Sequence, residues 1–183
     1  TSVQILLLNL LYDILCIVLP WDSVDEEDQL APKEWSGKTL GRFMRAFGPI
    51  SSLFDILTFL VLFFVLCPAA CAGAQFYQIG DLATQARFIA LFQTGWFVES
   101  LWTQVLILHF LRTSKVPLVQ SRPSTPVLVV TLAGIVGVTW ATFTCGLPLF
   151  GLVPLPLSYL GYLSVVAAAY MLLTTLRKSF YQK

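Results

Sequence analysis

The chain has 183 residues, 57% of them hydrophobic and 11% charged, with a formal net charge of +1 and a mean hydropathy of +0.79. Soluble domains carry about a quarter charged residues, so the shortage of charge excludes an ordinary soluble domain and points to an integral membrane protein. The near-neutral balance, without a dense basic cluster, excludes a nucleic-acid partner.

The first apolar run, VQILLLNLLYDILCIVLP, predicts a spanning helix over about 3–20, closed by Pro20. It follows a Thr rather than a Met and begins almost at once, as expected of a piece of a longer polypeptide. A secretory signal is not the reading: no Lys or Arg precedes Lys33, and the run ends in LPWDSVDEED. That acidic run, DSVDEED, reads as a solvated linker, with a cation-concentrating funnel at the membrane mouth as its functional alternative.

A second span is predicted over 49–67, opened by GPISS and ended by Cys67-Pro68. The four cysteines are Cys16, Cys67, Cys71 and Cys145. Cys67 and Cys71, in CPAAC, read as small apolar residues rather than metal ligands, because no zinc-type spacing accompanies them. The third span, 88–110, holds Trp96, Glu99, Trp102 and His109. The fourth, 126–143, contains the small-residue pair Ala133 and Gly137. Pro148, Pro154 and Pro156 fill the link to the fifth, 157–176, which carries Ala167, Ala168 and Ala169. Small residues at such spacing permit close helix contact. Apolar runs of this length must be helical in lipid, so the fold class is an all-α integral membrane bundle of five transmembrane helices, one domain over 1–183.

Alternate loops set the orientation. Lys33, Lys38, Arg42 and Arg45, then Arg112, Lys115 and Arg122, then Arg177, Lys178 and Lys183 fall on one side, and Arg87 alone on the other. The positive-inside rule puts the rich side in the cytoplasm, the N-terminus outside and the C-terminus inside.

Four ionisable side chains lie within the spans: Asp13, Asp55, Glu99 and His109. An acid at the helix centre costs on the order of 2.5–3.5 kcal/mol, and such a cost normally accompanies an ion path, a proton relay or a buried partner. Asp13 and Glu99 sit at similar depths in helices running the same way, so their carboxylates are placed to meet. Asn9 precedes Asp13 by one turn, and both project from one helix face flanked by Tyr12. Amide and carboxylate oxygens are the hard ligands that Mg²⁺ or Ca²⁺ prefers, and Asn9 with Asp13, joined by Glu99, suits Mg²⁺. Asn9 reads equally as interhelical hydrogen-bond glue. Asp55 falls near a helix end, beside Ser51 and Ser52, and reads as structural. His109, near Arg112 at a helix C-terminus, suits the macrodipole. There is no GxxxxGK[ST], GxGxxG or HExxH, and no soluble stretch long enough to bind a nucleotide.

The blocks QILLLNLLYDI, LPWDSVDEE, GRFMRAFGPISSLFDILTF, FQTGWFVESLWTQVLILHFLRT and LPLSYL together resemble the C-terminal membrane region of magnesium-translocating P-type ATPases. The resemblance runs in order over essentially the whole chain. It implies that these spans are the last five of ten. It also implies that Asn9 and Asp13 match the Asn-x-x-x-Asp cation ligands of the sixth span, with Tyr12 where calcium pumps typically carry Thr. The resemblance further implies that Glu99 matches the acid of the eighth span. The DKTGT phosphorylation motif, the TGES loop and the fourth-span proline motif do not occur in the chain.

The function expected from this is the membrane-embedded part of an ATP-driven Mg²⁺ importer of the cell (inner) membrane. Mg²⁺ is the transported ion, ATP is used in cytoplasmic domains outside this chain, and the partners are the lipid bilayer and the N-terminal part of the pump. Two rivals are a passive cation channel or proton-coupled carrier using Asp13 and Glu99, and a scaffold bundle without ion ligands.

Overall fold

A computed structural model describes residues 1–23, 37–113 and 121–181. The acidic run over 25–28, Trp35, Lys33, Lys115 and Lys183 lie outside the described residues. Five long helices follow one another: α1 (Ser2–Cys16), α2 (Gly37–Val61), α3 (Leu82–Leu111), α4 (Thr125–Thr144) and α5 (Ser158–Tyr181). A 3₁₀ turn, Leu19–Trp21, continues α1. A π turn, Leu62–Leu66, and a last α turn, Cys67–Ala70, continue α2.

Two expected boundaries of the second span are corrected. Pro49 lies inside α2 rather than at its start, and the rod continues through Cys67 and Pro68. Proline is tolerated within membrane helices because neighbours and local π or 3₁₀ adjustments satisfy the freed backbone groups. The fourth helix matches its expected span to within a residue at each end.

Among the described residues, four segments are long and apolar enough to cross a membrane: Ser2–Trp21, Gly41–Ala70, Thr125–Thr144 and Ser158–Lys178. Helix α3 is not among these four, although its 30 residues extend about 45 Å, more than the hydrocarbon thickness. Its position explains the difference. It packs against α1, α2, α4 and α5, so polar residues along it face protein rather than lipid. Every side chain from Phe97 to Leu101 is buried, as in a helix enclosed on all sides.

Around this axis α2 pairs with α5, and α1 with α4. The core joins Leu8 and Leu15 of α1 to Phe88, Phe97, Leu101 and Tyr159. Large apolar side chains such as Leu60 and Phe64 on the α2 rod or Val136 and Trp140 on α4 stay exposed on the outside of the bundle. The expected Ala133–Gly137 contact is not the one that forms: both are exposed, and Gly134 meets α1 instead, where a Cβ would come within 2.8 Å of Leu15 Cδ2.

Hydroxyls knit the helices. Tyr159 donates to the Gly95 carbonyl at 2.6 Å, Thr58 bonds Tyr162 at 2.9 Å, and Ser51 bonds Tyr170 at 3.0 Å. The indole of Trp102 donates to Thr139 at 3.0 Å. At one end of α3, Asp81 caps the first turn, and hydrogen bonds from Thr84 hold its carboxyl below the usual carboxylate range. The α4–α5 link folds back through paired Leu147 and Leu152 backbones, which requires Gly146 at φ +68°. A Cβ there would lie 2.6 Å from the Leu152 carbonyl oxygen. Gly146→Ala should therefore destabilise the fold by about 1–3 kcal/mol. Thermal unfolding of the purified protein checks this, with Gly137→Ala, whose Cβ meets nothing within 4 Å, as the neutral control.

Candidate cation site

The buried side of α1 is made by Gln4, Leu8 and Leu15, and its opposite face carries Asn9 and Asp13, both exposed. The one-turn spacing aligns the amide and the carboxyl on that face as the sequence predicts. Tyr12 lies beside them, half-buried and within electrostatic reach of Asp13 and Cys16.

Both ends of α1 are fastened. At its start, Gln4 is fully buried and its amide donates to the Phe150 and Gly151 carbonyls of the α4–α5 link, at 3.2 and 3.3 Å. Beyond its other end, Asp22 accepts from Arg112 Nη1 at 3.0 Å and from the Ser124 amide at 2.8 Å. Arg112 also donates to the Ser121 carbonyl at 3.2 Å. The Arg112 and Asp22 side chains are only 3% and 9% exposed. Sequence reasoning missed these anchors, because Asp22 reads as the first member of a solvated acidic run.

Further cations gather at that end. Lys178 of α5 donates to the Phe110 and Thr113 carbonyls at 3.0 and 2.6 Å, satisfying the C-terminus of α3, and Arg177 donates to Ala46 of α2 at 3.3 Å. These contacts bring the C-terminal ends of α3 and α5 and the N-terminal region of α2 together, as alternating helices require. His109 bonds Thr131 at 3.1 Å, a packing role consistent with its place in the last turn of α3.

Glu99 meets Asp55 rather than Asp13. Its side chain is fully buried, its carboxyl faces that of Asp55, and neither carboxylate oxygen finds a hydrogen-bond donor. Asp55 is half-buried, next to Glu99 and the Trp96 indole. The expected association of Asp55 with Ser51 and Ser52 does not form: Ser51 bonds Tyr170, and Ser52 is exposed. Asp55 was placed too shallow because Pro49 reads as a helix start. It stands halfway along the apolar stretch 41–70. Among the described residues no group of three or more His, Cys, Asp or Glu side chains is arranged to hold a metal. Asn9 and Asp13 thus form an open polar pair that the other described residues leave uncovered. Cys67 and Cys71 are buried free thiols.

The family described as "Cation transporting ATPase, C-terminus" matches residues 1–180. A magnesium-transporting ATPase, P-type 1, of Salmonella typhimurium (strain LT2) is 39% identical over 183 residues, covering 100% of this chain and 18% of the relative. The protein of the same description from Escherichia coli (strain K12) is 41% identical over 181 residues, 98% of this chain and 18% of its own. The chain therefore spans under a fifth of the length of these relatives.

Removing one partner of the enclosed ion pair leaves the other charge uncompensated. Asp22→Ala should destabilise by about 3–5 kcal/mol, whereas the double replacement Asp22→Leu with Arg112→Met should recover most of that loss. Unfolding midpoints of the two variants measure the difference.

Proposed function

The chain belongs to the cation-transporting ATPases, and from that premise we propose that it is the ion-handling C-terminal membrane region of a P-type pump that imports Mg²⁺. The observation that carries the reading is the Asn9–Asp13 pair. An amide and an acid share one face of a helix apolar enough to span the bilayer, and the other described residues leave that face uncovered. In hydrocarbon a bare carboxylate there is expensive, and a passing cation together with helices from the remainder of the pump relieves that cost.

Asn9 and Asp13 are the metal ligands in this reading. Mg²⁺ keeps several waters and accepts one or two carboxylates, so an open pair completed by oxygens from other helices suits it. Glu99, enclosed with Asp55, stands outside this metal set. Phosphorylation of an Asp in a cytoplasmic domain outside this chain drives the rearrangement that exposes the pair to each side in turn. The fastened ends of α1 hold the ligand face toward the helices that move. The family match supports the pump over a passive channel or an inert scaffold. The Lys- and Arg-rich end, with Arg112, Arg177 and Lys178, lies in the cytoplasm of a cell whose inner membrane the bundle crosses.

Loss of a direct ligand should cost at least what loss of an outer-shell partner does, about 10–100-fold in metal affinity. Asp13→Ala and Asn9→Ala in the full-length pump should weaken Mg²⁺-dependent uptake and ATPase activation accordingly; unaltered Mg²⁺ dependence rejects the ligand role. For orientation, Cys145 is exposed just after α4. A membrane-impermeant thiol reagent should label it from outside intact spheroplasts, and labelling only after permeabilisation would reverse the assignment.

A further inference from the structure

Helices α4 and α5 both pack on α3, with α1 against α4 and α2 against α5, and between α4 and α5 the bundle is open. A cavity of about 670 Å³ occupies that gap, a size at which ligands are commonly held. Its floor is α3, where Trp102 and Leu106, one turn apart on one face, are only half-buried. The residues just before them, Phe97 to Leu101, are buried. The walls include Val136 and Trp140 of α4 and Leu160 and Ala167 of α5.

The lining decides what fits. Among the described residues no charged side chain borders the cleft, and its hydroxyls are engaged. Thr139 accepts from the Trp102 indole at 3.0 Å, and Thr144 donates to the Trp140 carbonyl at 2.7 Å. Water settles in a cavity only with several polar partners, and this lining offers it little. A further helix approaches closely where small residues meet it, and the floor here is an indole and a leucine. A hydrocarbon chain needs only van der Waals contact along its length. The depth of the cleft matches one. At the helical rise, the α4 wall runs about 18 Å from Thr144 back to Leu132, and the α5 wall about 15 Å from Leu157 to Ala167. Half the hydrocarbon thickness is about 15 Å, so the cleft is as deep as one leaflet. Both walls begin beside the α4–α5 link, the end of the bundle opposite Arg112 and Lys178. Trp140, one turn inside that end, stands where indoles sit at a membrane interface.

We propose that the α4–α5 cleft is a binding site for one acyl chain of a membrane phospholipid. The chain enters from the leaflet beside the α4–α5 link and lies on Trp102, and its methyl end rests against Leu106 and Ala167. The headgroup stays at the level of Thr144, and the chain keeps α4 and α5 apart on their common floor. The cleft is on the far side of α4 from α1, so the site stands whether or not the Asn9–Asp13 pair binds Mg²⁺.

Photocrosslinking of the full-length pump in phosphatidylcholine nanodiscs tests this. The tracers are phosphatidylcholines carrying a diazirine near the carboxyl end or near the methyl end of one chain, and adducts are mapped by mass spectrometry of the digested protein. The carboxyl-end probe should label Thr144 and Leu157, and the methyl-end probe Trp102, Leu106 and Ala167. Val136→Trp, which fills the cleft from its exposed α4 wall, should abolish the adducts on Trp102 and Leu106. Ala167→Phe, filling it from the α5 wall, should do the same. Asp13→Ala should leave every adduct in place, whatever it does to Mg²⁺ transport, which separates this proposal from the metal reading. Absence of wild-type adducts on Trp102 and Leu106 overturns the proposal, and so does an inverted depth order of the two probes. Adducts on Trp102 and Leu106 that survive both cleft-filling replacements overturn it equally. The wild-type pattern alone decides the first two outcomes, so a variant that fails to fold leaves the test intact.

Discussion

Hydrocarbon offers no hydrogen bonds, and the arrangement of the whole chain follows from that constraint. A soluble protein can leave a polar side chain at its surface. Here each polar group within a span must find a partner inside the bundle or on another polypeptide segment. Helix α3 carries more such groups than any other helix described, and it occupies the one position from which all four others are in contact. Thr94 accepts from the Val153 amide, Gly95 from Tyr159, and His109 pairs with Thr131. The surrounding helices keep apolar side chains outward and turn their hydroxyls toward this axis. Glycine assists where backbones must approach: a Cβ on Gly95 would come within 2.5 Å of Leu62, in the π turn.

The same constraint separates fixed from open surfaces. Helix α1 contributes Leu8 and Leu15 to the core and is tied at both ends, by Gln4 and by Asp22. Its Asn9–Asp13 face receives nothing from the other described residues. Ends held and middle open is the arrangement a ligand-bearing helix needs when its other ligands belong to segments that shift. A helix held only through its middle would bury the ligands, and one held at a single end would let them wander by several ångströms, more than metal coordination tolerates.

Much of this was legible in the sequence, and the failures have physical causes. Span existence and helical type follow from apolar run length, so α4 and α5 begin within a residue of expectation. The pairing of Asn9 with Asp13 on one face follows from helical periodicity alone. Pro49 misled because proline is a stronger boundary in water than in lipid, and that single error displaced Asp55 from mid-span to the edge. Which neighbour Glu99 would face was not readable, since depth along a helix says nothing about rotation around it. The Ala133–Gly137 spacing likewise identifies a smooth strip without identifying the helix that uses it, and Gly134 is the residue that packs on Leu15.

Three membrane acids, Asp13, Asp55 and Glu99, thus divide by their surroundings rather than by their chemistry. Asp13 projects from an uncovered face beside a neutral amide, where a hydrated or partly hydrated cation has room to approach and other helices can add oxygens. Glu99 is fully enclosed, and Asp55 stands half-buried between it and the Trp96 indole. Rotation around the helix axis, not depth along it, therefore decides which acid stays accessible to segments beyond this bundle.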